Sequence, residues 1–142
     1  KNPAVVQAAQ QLHKQTGLPV LSLGRKIPGV QCLRPTAGPE EFLTLFHHAS
    51  YVLTSSFHGT VFSIQYQRPF LVFGNGTYNS RMSTILSAAG LQERMVTKSD
   101  DSMMKKLNIP IDWTQTTEKL WQARQKSLQF LEKALEMPRE EV

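Results

Sequence analysis

The stretch Tyr51-Val-Leu-Thr-Ser-Ser-Phe-His-Gly-Thr-Val-Phe-Ser-Ile-Gln-Tyr66 joins a strand pattern to a helix pattern through a short polar turn. Its first three residues form an apolar run with strong strand preference, and an almost wholly apolar helical pattern begins at His58. A strand that runs into a buried helix through a tight turn is typical of the ligand-binding edge of an open α/β sheet. We therefore expect this turn to lie at a binding site.

The first residues of the predicted helix are suited to binding an anion. The amides near His58, Gly59 and Thr60 have no intrahelical acceptor and point outward at the positive end of the helix dipole. Gly59 is expected to let a ligand approach closely because it has no side chain, and His58 can donate, accept or carry charge near neutral pH. A histidine here is often only a cap, and Ser55 and Ser56 are as well suited to capping the helix as to contacting a ligand.

Length and composition indicate one globular domain. The 142 residues, 40% of them hydrophobic, are enough for a real core. No apolar run approaches the length of a membrane span, and no signal peptide is visible. The single cysteine, Cys32, excludes a disulfide framework and a thiolate metal cluster, and it favours a reducing, cytoplasmic setting. The four histidines show no metal-ligand spacing, and we predict no metal and no cofactor.

The formal net charge of +5 raises the question of a nucleic-acid partner. The basic residues are scattered, however, and no run of them is longer than Lys105-Lys106. We therefore predict no nucleic-acid binding. A mildly basic surface also suits an anionic small substrate or an acidic acceptor linked to a membrane, so a peripheral association with the inner face of the membrane is left open.

The order of patterns along the chain predicts a parallel sheet. Helices are expected at 3–15, 39–49, 79–89 and about 114–137, and strands at 18–23, 30–33, 51–54 and 69–73, with a short last element at 91–96. Alternating strands and helices indicate a doubly wound, Rossmann-like α/β domain spanning 1–142, with 51–54 and 69–73 as adjacent buried parallel strands. Because the chain begins on a helix, we expect a first strand and a partner domain upstream.

The long predicted helix carries a broad apolar stripe that is expected to lie across this domain or a neighbouring one. Its members are Leu120, Trp121, Ala123, Leu128, Leu131 and Leu135.

Several segments, in this order, resemble the polysaccharide pyruvyl transferase family over most of the chain. They are residues 49–63, 68–70 (Arg-Pro-Phe), 79–82 (Asn-Ser-Arg-Met) and 90–94 (Gly-Leu-Gln-Glu-Arg), with supporting matches at 38–42 and 124–131. The resemblance implies a two-domain fold like that of the GT-B glycosyltransferases, of which this chain would be the C-terminal half. It also implies transfer of a pyruvyl group from phosphoenolpyruvate to sugar hydroxyls as a ketal, during surface or exopolysaccharide biosynthesis.

The resemblance assigns residues to roles. The family's catalytic histidine falls on His58, whereas the residue two before it, often Arg in the family, is Ser56 here. This departure removes one charge for phosphoenolpyruvate and shifts that role to Arg81 or to the absent half of the enzyme. Arg81 is suited to clamping an anion but is equally suited to a surface ion pair. The predicted substrate-binding residues are Ser55, Ser56, Phe57, Gly59, Thr60 and Arg81.

The resemblance also names the partners: phosphoenolpyruvate, a saccharide or lipid-linked saccharide acceptor, and an N-terminal domain of the same enzyme. Alone, this half is expected to fold but to show little or no transfer. Two alternatives remain open, namely the donor-binding half of a nucleotide-sugar glycosyltransferase and an inactive scaffold domain. A hydrolase elbow, a P-loop and a dinucleotide-binding glycine motif are all missing from the sequence.

Overall fold

A computed structural model describes residues 2–23, 26–30, 32–33, 38–74, 79–96 and 101–136. Its helices are α1 (Pro3–Thr16), α2 (Pro39–His48), α3 (Phe57–Gln65), α4 (Ser80–Ala89), a 3-10 helix (Gln92–Arg94), α5 (Asp101–Asn108) and α6 (Trp113–Glu136). Its strands are β1 (Val20–Leu21), β2 (Cys32–Leu33), β3 (Val52–Thr54), β4 (Phe70–Phe73) and β5 (Met95–Val96).

The core sheet has three parallel strands in the order β3-β4-β5. Val52 is the partner of Phe70, and Val72 is the partner of Met95. The prediction of two adjacent parallel strands around residues 51–54 and 69–73 is therefore confirmed. All four residues of β4 are fully buried, because this central strand is covered on both faces.

Side chains that alternate along the strands form two hydrophobic clusters, one on each face of the sheet. Phe70 and Val72 pack on one face with buried residues of α2, α3 and α4. Leu71 and Phe73 pack on the other face with buried residues of α1 and α5. Helices thus cover both faces, as expected for a doubly wound sheet.

The N-terminal strands differ from the prediction. We expected strands at 18–23 and 30–33, whereas β1 and β2 have two residues each and form a separate parallel pair. Three leucines of the expected first strand, Leu18, Leu21 and Leu23, are 38–50% exposed. The expected strand is shortened to Val20–Leu21, and its three leucines lack a covering layer among the described residues.

The polar segment near residue 100 proves to be a helix. Residues 97–100 lie outside the described residues, and α5 begins at Asp101. Met103, Met104 and Leu107 of this helix are buried against the sheet. Their spacing of i, i+1 and i+4 gives one apolar face.

The long C-terminal helix is confirmed as α6, but only its beginning packs on this domain. Trp113 and Leu120 contact the cluster formed with α2, α3 and α4. Further along, the apolar stripe is exposed: Trp121 is 55%, Leu131 53% and Leu135 85% exposed. None of the helices in the described part of the chain has the length and apolar character to cross a membrane.

Candidate functional site

Three helices begin at the carboxyl edge of the core sheet, the edge at which the strands end. The start of α3 follows β3 after two residues. Asn79, which precedes α4, lies against the end of β4, since a Cβ added to Gly74 would be 3.1 Å from the Asn79 Cγ atom. Asn2 caps α1 and donates a 2.8 Å hydrogen bond from Nδ2 to the Gly74 carbonyl. The positive ends of three helix dipoles therefore meet at this edge.

The turn between β3 and α3 is held by its own hydroxyl groups. The Thr54 Oγ1 atom accepts a hydrogen bond from the Ser56 amide at 3.2 Å. Ser56 is the N-cap of α3, and its Oγ accepts from the Gly59 amide at 3.2 Å. The Ser56 carbonyl accepts from both the amide and the hydroxyl of Thr60, each at 3.0 Å. Ser56 thus takes the capping role that the sequence left open.

These contacts change where an anion can bind. Of the three amides that we expected to be available, those of Gly59 and Thr60 are already hydrogen-bonded within the turn. The side chain of Thr60 is also fully buried. In contrast, the amides of Phe57 and His58 have no acceptor elsewhere in the described ranges. The anion-binding capacity of the turn therefore rests on these first two amides.

Gly59 has a packing role rather than the open approach that we predicted. It is buried, and a Cβ placed on it would lie 2.9 Å from the Thr54 Cβ atom, closer than real side chains pack. The absence of a side chain lets the first turn of α3 lie directly on the end of β3. The room left by this glycine is filled by Thr54 and is not available to a ligand.

Phe57 brings two of the predicted site residues together. Its half-buried ring packs against the core cluster, while its centroid lies 5.8 Å from that of the His58 ring in an edge-on arrangement. The Arg81 guanidinium, from the first turn of α4, lies 5.5 Å from the same Phe57 centroid. A cation at this distance from an aromatic ring is in cation–π range. One ring therefore supports a histidine from α3 and an arginine from α4.

The side chains of His58 and Arg81 are exposed at this edge. Each contacts the Phe57 ring, and neither side chain makes a hydrogen bond or an ion pair with any residue that the structure describes. The hydroxyl of Ser55, which is half-buried, likewise has no partner among these residues. The edge therefore presents an imidazole, a guanidinium, a hydroxyl and two backbone amides, which together suit an anionic ligand. Within the described ranges, no group of three His, Cys, Asp or Glu side chains is arranged to hold a metal ion.

A cavity of about 160 Å³ lies at the opposite, amino edge of the sheet, where the strands begin. It is lined by Tyr51 and Pro69, which precede β3 and β4, by residues 107–111, and by Trp113. The cavity is thus separated from the histidine and the arginine by the length of the strands. The sequence did not indicate it, because its wall comes from segments that are distant along the chain.

Arg94 is a second feature that the sequence did not indicate. It is 1% exposed, and its guanidinium donates to the Lys106 carbonyl at 2.8 Å and to the Ile109 carbonyl at 2.6 Å. Its Nε lies 3.3 Å from a carboxylate oxygen of Glu93, an ion pair without hydrogen-bond geometry. Burial lowers the pKa of Arg94 below its ordinary value, and the Glu93 carboxylate opposes this shift. Arg94 therefore fastens the end of α5, and its burial keeps the guanidinium out of reach of a substrate phosphate.

The sequence profile of the family described as polysaccharide pyruvyl transferase matches residues 7–77, half of the chain. The fold and the site define an α/β domain whose carboxyl edge is suited to an anion, and the match shows the family: the chain belongs to the polysaccharide pyruvyl transferase family. The matched region contains the whole β3–α3 turn with His58, whereas Arg81 lies beyond it. No curated protein and no solved structure matches the chain.

Proposed function

We propose that this chain is the phosphoenolpyruvate-binding half of an enzyme that transfers a pyruvyl group onto two hydroxyls of a saccharide. The family supplies the transferase class. The observation that carries the proposal is the shared support of His58 and Arg81 by the Phe57 ring, at an edge where two helix amides are free. In this proposal His58 carries a proton and Arg81, beside it, clamps an anion.

Phosphoenolpyruvate has two anionic groups, and the edge offers two places for them. The amides of Phe57 and His58 suit one group, because helix-terminal N–H donors and the helix dipole favour negative charge. The Arg81 guanidinium suits the other, because its planar donors match a carboxylate or a phosphate in a paired geometry. In this arrangement Ser55 supplies a hydroxyl contact, and Ser56 contributes through the cap it provides rather than by contacting the ligand.

The chemistry requires proton transfers that His58 is placed to perform. A sugar hydroxyl adds to carbon 2 of phosphoenolpyruvate while the methylene carbon accepts a proton and becomes a methyl group. A second hydroxyl then displaces phosphate from carbon 2, which closes the cyclic ketal. One hydroxyl proton ends on the methyl group and the other leaves with the phosphate. His58, as general acid or base, carries a proton in the first step.

The remaining parts of the enzyme belong to the same proposal. The chain is the C-terminal domain of a GT-B-type pair, and an N-terminal domain faces its carboxyl edge and helps to bind a saccharide or lipid-linked saccharide. The exposed apolar stripe of α6 supports a second domain, since apolar surface of this kind is normally covered. We place the enzyme in the cytoplasm, at the inner face of the membrane when the acceptor is lipid-linked, and without a cofactor.

The experiment is a transfer assay with the complete enzyme, phosphoenolpyruvate and a panel of saccharides. We expect stoichiometric release of phosphate and appearance of a ketal methyl group, and no turnover by the 142-residue chain alone. Turnover by the chain alone would refute the two-domain part of the proposal. Binding of nucleotide diphosphates in place of phosphoenolpyruvate would instead indicate a nucleotide-sugar glycosyltransferase, and binding of neither would indicate a scaffold.

A further inference from the structure

The cavity at the amino edge has the composition of a binding site for a neutral ligand. The side chains that line it carry no formal charge: Tyr51, Pro69, residues 107–111 and Trp113. Tyr51 and Trp113 are both half-buried, and each packs against a different one of the two core clusters, so the cavity lies between two aromatic residues that the core holds in place. A site without a cation is unsuited to phosphoenolpyruvate or phosphate, which separates it from the carboxyl edge.

The wall of the cavity is held from both ends. On one side, the buried Arg94 guanidinium binds the Lys106 and Ile109 carbonyls, and the Ile109 amide donates to Lys106. On the other side, Asp112 caps α6, because its carboxylate accepts from the Gln115 amide at 2.9 Å. Burying an arginine is costly unless its donors are used. Here its two terminal nitrogens fix the segment that forms the cavity wall, so the cavity is preformed.

Two polar groups of the lining are available to a ligand. The Tyr51 hydroxyl and the Asn108 side-chain amide make no hydrogen bond to any residue within the described ranges. A sugar ring presents a face of C–H groups, which packs on aromatic rings, and a rim of hydroxyls, which needs donors and acceptors. Aromatic walls with a few placed polar groups are the usual composition of such sites. The volume, about 160 Å³, is well below that of pockets for drug-sized ligands, about 300–1,000 Å³.

We propose that the amino-edge cavity is a second carbohydrate site, which binds one neutral sugar residue by stacking between Tyr51 and Trp113 and by hydrogen bonds to Tyr51 and Asn108. This second proposal rests on the proposed function only for the choice of a saccharide as ligand, because the family is named for a polysaccharide substrate. Its place on the opposite edge makes it an anchoring site, which holds a polymer away from the reacting hydroxyls. Arg94 is its positioning residue.

The test uses Trp113 as the reporter. Trp121, the second of the two tryptophans, is replaced in a Trp121→Phe chain so that fluorescence reports the cavity alone. Cellobiose, maltose and lactose are titrated separately, with phosphoenolpyruvate and 1-butanol as comparison probes. We expect at least one disaccharide to shift the Trp113 emission with a dissociation constant of about a millimolar, as for a ligand contact of this size. Phosphoenolpyruvate is expected to leave the emission unchanged.

Two conservative variants locate the binding. Tyr51→Phe keeps the ring and removes one hydroxyl, and Asn108→Ala removes an exposed amide, so neither should unfold the chain. Each is expected to weaken disaccharide binding roughly fivefold, the effect of one hydrogen bond. Gln65→Ala, at the exposed end of α3, is the matched control and should change nothing. Disaccharide binding that both Tyr51→Phe and Asn108→Ala leave intact would overturn the proposal.

The comparison probes distinguish the other outcomes. A response to 1-butanol with none to any disaccharide would show a purely apolar pocket and would overturn the carbohydrate assignment. The assignment would also be overturned if no disaccharide changed the emission at concentrations of tens of millimolar. Because the titration needs no turnover, its result is independent of the transfer assay. Disaccharide binding to a chain without transferase activity would leave this proposal standing and count only against the proposed reaction.

Discussion

The two edges of the core sheet are built differently, although the same strands connect them. The carboxyl edge exposes His58 and Arg81 beside free helix amides, with one aromatic ring as support. The amino edge carries a half-open cavity without charged lining and with two aromatic residues. Exposed ionisable groups at helix starts suit a small anion, whereas a neutral cavity with aromatic walls suits an uncharged ring. In our proposal, this small sheet divides donor and polymer binding between its two edges.

The largest expected effect tests whether the carboxyl edge performs the chemistry. His58→Ala in the complete enzyme should lower kcat by about 100- to 10,000-fold, the usual contribution of a positioned proton carrier. The melting temperature should hardly change, because the His58 side chain is exposed and makes no hydrogen bond or ion pair with a described residue. Steady-state kinetics and thermal melts measure both quantities.

The matched control is His48→Ala, an exposed histidine at the end of α2, on the amino side of β3. It should keep normal kcat. If both histidine variants retain turnover, or if His58→Ala fails only by melting early, the carboxyl edge is not the place of proton transfer.

The next effect concerns anion binding by Arg81. Arg81→Ala should raise the KM for phosphoenolpyruvate by about 10- to 100-fold, because a hydrogen bond to a charged group contributes about 1.5–3 kcal/mol. Its kcat should change little, since the clamp acts on the bound anion in the ground state and the transition state alike. Arg81→Lys should lie between the two, because lysine keeps the charge but loses the planar pair of donors. A normal KM in Arg81→Ala would make this residue a surface cation.

A smaller effect separates packing from ligand binding at the turn. Gly59→Ala should destabilise the chain by about 1–2 kcal/mol, because overpacking against Thr54 outweighs the better helix propensity of alanine. Thr54→Ala in the same chain should restore part of that loss, and urea unfolding of the two single variants and the double variant measures the coupling. Independent, additive effects would show that Gly59 does not pack against Thr54.

The smallest effect concerns the Phe57 ring, which contacts both His58 and Arg81. Phe57→Leu should lower kcat/KM by about tenfold, because it removes both the cation–π contact and the ring contact with His58. Phe57→Tyr should retain activity, since it keeps the ring. Phe62→Leu, in the same helix but packed against Phe42 and Phe46, is the control and should reduce stability without changing kcat/KM. Equal kinetic losses in both leucine variants would reduce Phe57 to core packing.

The sequence predicted the features that depend on local pattern. The apolar runs of β3 and β4 with a helix between them require adjacent parallel strands, and the polar turn before His58 marks the carboxyl edge. The long α6 was found from its apolar periodicity in the same way. The profile match over residues 7–77 confirms the family that the sequence resembles.

The rest depended on contacts between distant segments. The approach of Arg81 to Phe57 is set by how α4 packs on α3, and the burial of Arg94 is set by where α5 ends. Neither of these contacts is visible as a pattern in the local sequence. Gly59 was misjudged for the same reason, since a glycine at a helix start is equally compatible with a ligand and with Thr54, and only the packing decides between them.

The most direct test of the account is a map of backbone amide chemical shifts of the 142-residue chain during titration with phosphoenolpyruvate. We expect the largest shifts at the amides of Phe57 and His58, smaller ones at the hydrogen-bonded amides of Gly59 and Thr60, and none at residues 107–111. Shifts at 107–111 with a silent α3 start, or no shifts at either edge, would contradict the claim that the carboxyl edge of this sheet binds the donor.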